Sequence, residues 1–139
     1  MLITSQSPPV SSRGVVRIRS DRASDRRQGL PAFAGVSDRT AGATGICMNL
    51  VEIPPGAAAV PHAHVGYETA IYLLEGTVEL WYGDELEHRM LIRAGDFVFI
   101  APGVPHQPRN ASPTKTCRAV VARNTPAEEE SVVLTARAR

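Results

Sequence analysis

From Thr44 onward the apolar runs are short, and each ends at a cluster of Gly, Pro or Asp. "TGICMNLVEI" stops at "PPG", "TAIYLL" at "EG", "TVELWY" at "GDE", "LEHRMLI" at "RAGD" and "FVFIA" at "PGVP"; "TCRAVVA" and "SVVLTA" follow. β-Branched and aromatic residues in runs of this length, divided by turn formers, predict seven or more short strands. No segment after residue 44 keeps the apolar period of about 3.6 residues that an amphipathic helix requires. The expectation is an all-β sandwich or barrel. "WYGDEL" reads as a hairpin, with Gly83-Asp84 joining two alternating strands. A chain of 139 residues buries one core of its own and is too short for two ordinary domains. There is no tandem repeat, so it carries one β unit.

The first part of the chain has another texture. Residues 1–40 are rich in Ser, Pro, Gly, Arg and Asp and lack a sustained apolar pattern, which predicts a flexible arm. One piece of it, "GVVRIR" at 14–19, alternates apolar and basic residues and is expected to form a strand. The barrel is expected over residues 41–139. Arg13, Arg17, Arg19, Arg22, Arg26 and Arg27 suggest a basic arm, but Asp21 and Asp25 dilute its charge and no aromatic residue is interleaved for base stacking. With a net charge of +1, no global field points to nucleic acid or to an anionic membrane. The longest apolar runs fall far short of the ~20 residues that span a bilayer. With no signal-like segment at the N-terminus, a cytoplasmic location is expected. Cys47 and Cys117 sit in apolar, strand-like segments and read as two buried thiols.

The residues with metal chemistry gather in two places. His62 and His64 are two apart, so in a strand they share a face with Cα atoms roughly 7 Å apart. Two imidazoles so placed can converge on one ion. Glu68 keeps the same parity if the strand continues, and Gly66 makes a bend between them cheap. His106 follows "PGVP", a rigid loop that fixes its approach. Three imidazoles and a carboxylate suit Mn, Fe, Co, Ni or Zn. His88, in a charged strand beside a turn, reads as a structural or exposed residue rather than a ligand.

Around these residues the glycines and prolines have a familiar order. Gly56 is followed by five residues, then His62-Ala63-His64, three residues, Glu68, and Gly76 after seven more. Gly95 is followed by five residues, then Ala101-Pro102-Gly103, two residues, His106, three residues and Asn110. The chain resembles the cupin superfamily of small β-barrels. Its first motif reads G, five residues, HxH, three or four residues, E, about six residues, G. Its second reads G, five residues, PxG, two residues, H, three residues, N. Ala101 replaces a turn proline. Glu68 takes the shorter allowed gap, and one extra residue precedes Gly76; a local bulge or bend would absorb that shift.

The resemblance implies a single double-stranded β-helix, the jelly-roll barrel. It implies one divalent transition metal per chain (Fe, Mn, Zn, Ni or Co), held by His62, His64, Glu68 and His106. It also implies a small-molecule substrate and a homodimer. Fold alone selects no reaction. The leading expectation is a metal-dependent, dioxygenase-like enzyme; the alternatives are a non-redox isomerase, cyclase or lyase, and a non-catalytic metal or small-molecule binding module. Tyr72 shares Glu68's parity and is a candidate to face the metal. Tyr67 and Gln107 adjoin ligands but point elsewhere if alternation holds; Tyr72 and Gln107 are the pocket candidates for a catalytic acid or base. Met48, Leu50, Tyr72, Leu80, Tyr82, Phe97, Phe99 and Val120 are the candidates to line the barrel mouth.

Overall fold

Alternation builds the sheets. In the strand Cys47–Ile53, every second side chain starting at Cys47 is buried, whereas Met48 between them is exposed. The strand Cys117–Arg123 buries Cys117, Ala119 and Arg123 in the same rhythm. A computed structural model describes residues 14–19, 23–25, 30–128 and 132–135. Among these the elements in chain order are β1 (Ala23–Asp25), β2 (Pro31–Val36), α1 (Asp38–Ala41), β3 (Cys47–Ile53), β4 (His62–His64), β5 (Thr69–Glu75), β6 (Thr77–Tyr82), β7 (His88–Arg93), β8 (Phe97–Ile100), β9 (His106–Asn110), β10 (Cys117–Arg123) and β11 (Val132–Leu134). They form two antiparallel sheets. One runs β1-β2-β3-β10-β5-β8 and the other β11-β4-β9-β6-β7. This is the expected all-β jelly roll. No helix of the described residues is long and apolar enough to cross a membrane.

The core includes Leu30, Val51, Ile53, Leu73, Val78, Leu80 and Ile92. Leu73 is only 2% exposed, and burying a leucine contributes about 1.5–3 kcal/mol. The chain crosses from one sheet to the other at Gly76, between β5 and β6. Its φ is +91°, and a Cβ there would lie 2.5 Å from the Cys117 sulfur. Only glycine meets both conditions. Cys47 and Cys117 are buried free thiols, as their apolar surroundings predict.

The N-terminal reading needs correction. β2 lies inside the span read as an arm, pairs with β3, and seats Ala32 in the core with Leu30 beside it. The apolar signal of "LPAFAGV" is short and is diluted by its polar neighbours. Ser37 then caps α1 through a reciprocal bond with Thr40, and Gly42 closes that helix at φ +69°. Residues 14–19, expected as a strand, carry no strand in the structure, and Val15 is exposed. Alternation without a pairing edge does not make a strand. The rest of the proposed arm, apart from β1, lies outside the described residues.

Candidate metal centre

β4 is the shortest strand of its sheet to carry chemistry, and all three of its residues are buried. Its neighbour β9 begins with His106, which stands directly opposite His62 in the register. Alternation brings His64 to the same side as His62. The ring centroids are 5.0 Å apart for His62–His64, 4.4 Å for His62–His106 and 4.8 Å for His64–His106. One nitrogen from each ring lies within 4.8 Å of the others. The "PGVP" loop ties the two strands together: Gly103 donates its N–H to the His64 carbonyl at 2.8 Å.

Each ring is oriented through Nδ1. His62 Nδ1 donates to the Val60 carbonyl at 2.6 Å, and His106 Nδ1 donates to the Val104 carbonyl at 2.9 Å. A carbonyl only accepts, so both rings carry a proton on Nδ1, and in the neutral ring Nε2 is the nitrogen left to bind an ion. His64 Nδ1 lies 2.9 Å from the Thr69 hydroxyl. Backbone or side-chain anchoring of the second ring nitrogen is the usual support for a metal-ligating imidazole. Burial keeps His64 and His106 neutral, as ligands must be. Burial first, then the neighbouring His106, His62 and Arg123, brings His64 from 6.5 down to about 3. Burial and His62 bring His106 from 6.5 to about 4, against the Val104 hydrogen bond that raises it. The three histidines therefore fit a divalent ion in donor type and burial, and His64 and His106 fit it in protonation as well.

Glu68 is not brought to this cluster. Its side chain is exposed, and its backbone is pinned to Asn124: its N–H donates to Asn124 Oδ1 at 2.8 Å and its carbonyl accepts from the Asn124 N–H at 3.4 Å. Gly66, at φ +81°, interrupts the alternation after His64. When alternation resumes, Thr69, Ile71 and Leu73 face inward. The expected irregularity does occur on β5: Ala119 pairs with Leu73 and Arg118 with Glu75, which leaves Leu74 over. It falls too late in the strand to turn Glu68.

The three rings line a cavity of about 80 Å³. The rest of the wall is almost wholly apolar, with Val51, Ile71, Leu73, Val78, Leu80 and Val121 among its residues; Thr69 and Cys117 are its other polar groups. Of the eight residues expected at the mouth, Leu80 alone lines this cavity. Met48, Leu50, Val120, Tyr72, Phe97 and Phe99 fall on the outer face of the six-stranded sheet. Leu50, Val120, Tyr72 and Phe97 stand in one cross-strand row, and Phe97 is 82% exposed. Tyr72 packs its ring 4.6 Å from Phe97 rather than facing the histidines. Tyr82 stacks near His88, whose ring is exposed as expected. Gln107 is buried and donates to the Ala59 carbonyl at 3.0 Å, a structural role on the face away from the histidines.

Two residues near the centre were not assigned to it from sequence: parity pointed Tyr67 elsewhere, and Arg123 carried no signal. Tyr67 is buried and stacks on His64 at 5.3 Å. The buried Arg123 places its guanidinium 5.7 Å from the Tyr67 ring and its Nε 3.1 Å from Cys47 Sγ. Neither could be found by strand parity, because Tyr67 lies in the bend and Arg123 ends a strand distant in sequence.

The fold has counterparts among solved structures. The polyketide cyclase RemF from Streptomyces resistomycificus superposes with a TM-score of 0.69 at 21% identity, over 90% of this chain and 88% of that one. The oxalate decarboxylase of Lactobacillus farciminis, solved as a formate complex, gives 0.68 at 17% identity over 81% of this chain and 33% of its own. A recombinant oxalate oxidase in complex with glycolate gives 0.65 at 20% identity over 86% and 59%. The chain thus spans a third of that decarboxylase and under two thirds of that oxidase, and at these identities the likeness is one of fold. The sequence has no match among curated proteins. The family model for the cupin domain matches residues 49–123, the stretch from β3 to the end of β10 that holds all three histidines, and the chain belongs to that family.

Proposed function

We propose that this cupin is a metal-dependent enzyme in which His62, His64 and His106 hold one divalent transition ion and a small organic substrate reacts beside them. The observation that carries the reading is the convergence of three buried imidazoles on an apolar cavity. A bound ion would supply Lewis acidity and, for Fe or Mn, a route to dioxygen chemistry. The chain's own residues do the rest. The carbonyls of Val60 and Val104 hold the tautomers. The aliphatic wall excludes water, so charge developing at the centre is felt strongly. The cavity is about 80 Å³, roughly half the ~150 Å³ that accommodates benzene. In this conformation it admits the reacting end of a larger substrate.

The dioxygenase-like reading is favoured by what the wall supplies. Among the described residues no Asp, Glu, Lys or Tyr side chain lines the cavity. Enolisation, cyclisation and elimination ask the protein for a general base or acid; oxidative chemistry at the metal asks less of it. The non-redox reading keeps one specific support, the near end-to-end likeness to the polyketide cyclase RemF. The two are separated by loading the protein with Fe(II) and measuring oxygen uptake with diketones, catechols and thiols. Uptake with at least one class is expected. No uptake, together with anaerobic turnover by the Zn-loaded protein, would replace the first reading with the second.

The proposed homodimer has a suitable surface. The outer row of Leu50, Val120, Tyr72 and Phe97, with the exposed Phe99 and Met48 beside it, is an apolar face of the kind that covers itself by self-association.

A further inference from the structure

Motif spacing and strand geometry single out the same residue for the place of the fourth ligand, and it is not an acid. The cupin pattern leaves three or four residues between its HxH and its glutamate, then about six before glycine. With Glu68 in that place the intervals are three and seven; with Thr69 they are four and six. Thr69 is 1% exposed, lines the cavity and holds His64 through its hydroxyl. Glu68 opens instead onto another crevice, among Met48, Phe99, Arg123 and Asn124. Turning Glu68 inward would reverse the parity of β5 and expel Thr69, Ile71 and Leu73 from the interior.

We propose that Thr69 stands where the family's acidic ligand would stand, so that this centre offers neutral ligands only and recruits its negative charge from the substrate, an oxyanion such as a carboxylate, enolate or phenolate. The inference rests on the metal-centre reading above and adds a substrate class to it. Three neutral imidazoles leave a divalent ion with its whole double charge. An uncompensated charge in an apolar cavity is costly, and the wall holds no carboxylate to offset it. The Arg123 guanidinium, behind Tyr67, adds positive charge on the same side. An anionic oxygen donor neutralises this excess, whereas a neutral ligand of the same size leaves it in place. Such oxygen donors suit the first-row ions that imidazole also binds. A carboxylate or enolate on an otherwise apolar molecule therefore matches both parts of the site.

The test uses Co(II) as the probe ion. Wild-type protein is loaded with Co(II), its metal content is measured by elemental analysis, and the visible absorption of the centre is followed on titration with acetate and with acetamide. These two match in size and differ in charge. The expected result is one Co(II) per chain and acetate binding at least tenfold tighter than acetamide. Thr69→Glu is expected to keep Co(II) and lose the preference for acetate. Glu68→Gln, a surface change that leaves the fold intact, is expected to leave both metal content and acetate affinity within twofold of wild type. Equal affinities for acetate and acetamide on a Co(II)-loaded wild type would overturn the charge inference alone. A wild type that takes up no Co(II) would overturn the metal centre with it. A tenfold gain in acetate affinity in Glu68→Gln would place that carboxylate in the centre and also overturn the proposal, even if Thr69→Glu does not fold.

Discussion

β4 and the start of β5 are neighbours in sequence, and they handle a one-residue displacement differently. β4 is buried at all three positions and held on both edges, by β11 and by β9. His62 and His64 have one place to go. β5 has an interior face and an open outer face, so a single step separates buried Thr69 from exposed Glu68 and Ala70. A side-chain period of two makes register an all-or-none choice. The lesson is that HxH is a stronger structural statement than the glutamate that follows it, because a glycine bend lies between the two.

The largest expected effect is at β4 and β9. His62→Ala or His106→Ala should reduce bound metal from one ion per chain to near none by elemental analysis, since each removes one of three ligands. Retention of full metal content in either variant would break the comparison at its firmer end. Protonation should act on the same strands. The folded state keeps His64 and His106 neutral to about 3 and about 4, whereas the unfolded chain takes up protons near 6.5. Neither group contributes a pH slope above about pH 7. As pH falls below about 6.5, the unfolded state binds protons that the folded state refuses, and stability of the metal-free protein is lost by up to about 1.4 kcal/mol per pH unit for each histidine. Urea unfolding at pH 7, 6 and 5 should show that decline, and His64→Gln should flatten it. A wild type equally stable at pH 7 and pH 5 would contradict the burial argument.

Smaller effects are expected on β5 and beyond. Thr69→Val keeps the shape and removes the hydroxyl that orients His64. Loss of such an outer partner lowers metal affinity by about 10–100-fold, which competition with a chelator would read directly. No change would mean that His64 is held by its strand alone. Phe97→Ser, on the outer face, should change stability by no more than about 0.5 kcal/mol and leave metal content untouched. Its expected consequence is in sedimentation, as a shift of the proposed dimer toward monomer. A loss of metal in this variant would mean that the two faces of β5 and β8 are not independent.

The barrel was legible because turn formers bracket nearly every strand, and the three histidines were legible because each sits beside one of those turns. The pocket wall was not. In β3 the interior face presents Cys47, Asn49, Val51 and Ile53, and the outer face presents Met48, Leu50 and Glu52. Both faces are largely apolar, so hydrophobic pattern does not tell inside from outside, and the larger side chains drew the assignment to the wrong one. β2 was hidden for the opposite reason: six residues of modest hydrophobicity between polar stretches give too little contrast. Tyr67 and Arg123 reach His64 through a bend and a strand end, which no periodicity describes.

One pairing bears on how the protein comes into being. β4 meets β9 in the ladder only at His62 and His106, whereas β11 runs alongside its whole length, setting Val132 opposite His64 and Leu134 opposite His62. Thr135 adds a bond to the Pro61 carbonyl at 3.1 Å. A nascent chain that has emerged only as far as residue 128 already displays every histidine of the centre but lacks the edge that clamps two of them. Competence to capture metal should therefore arrive only once β11 has emerged and paired with β4.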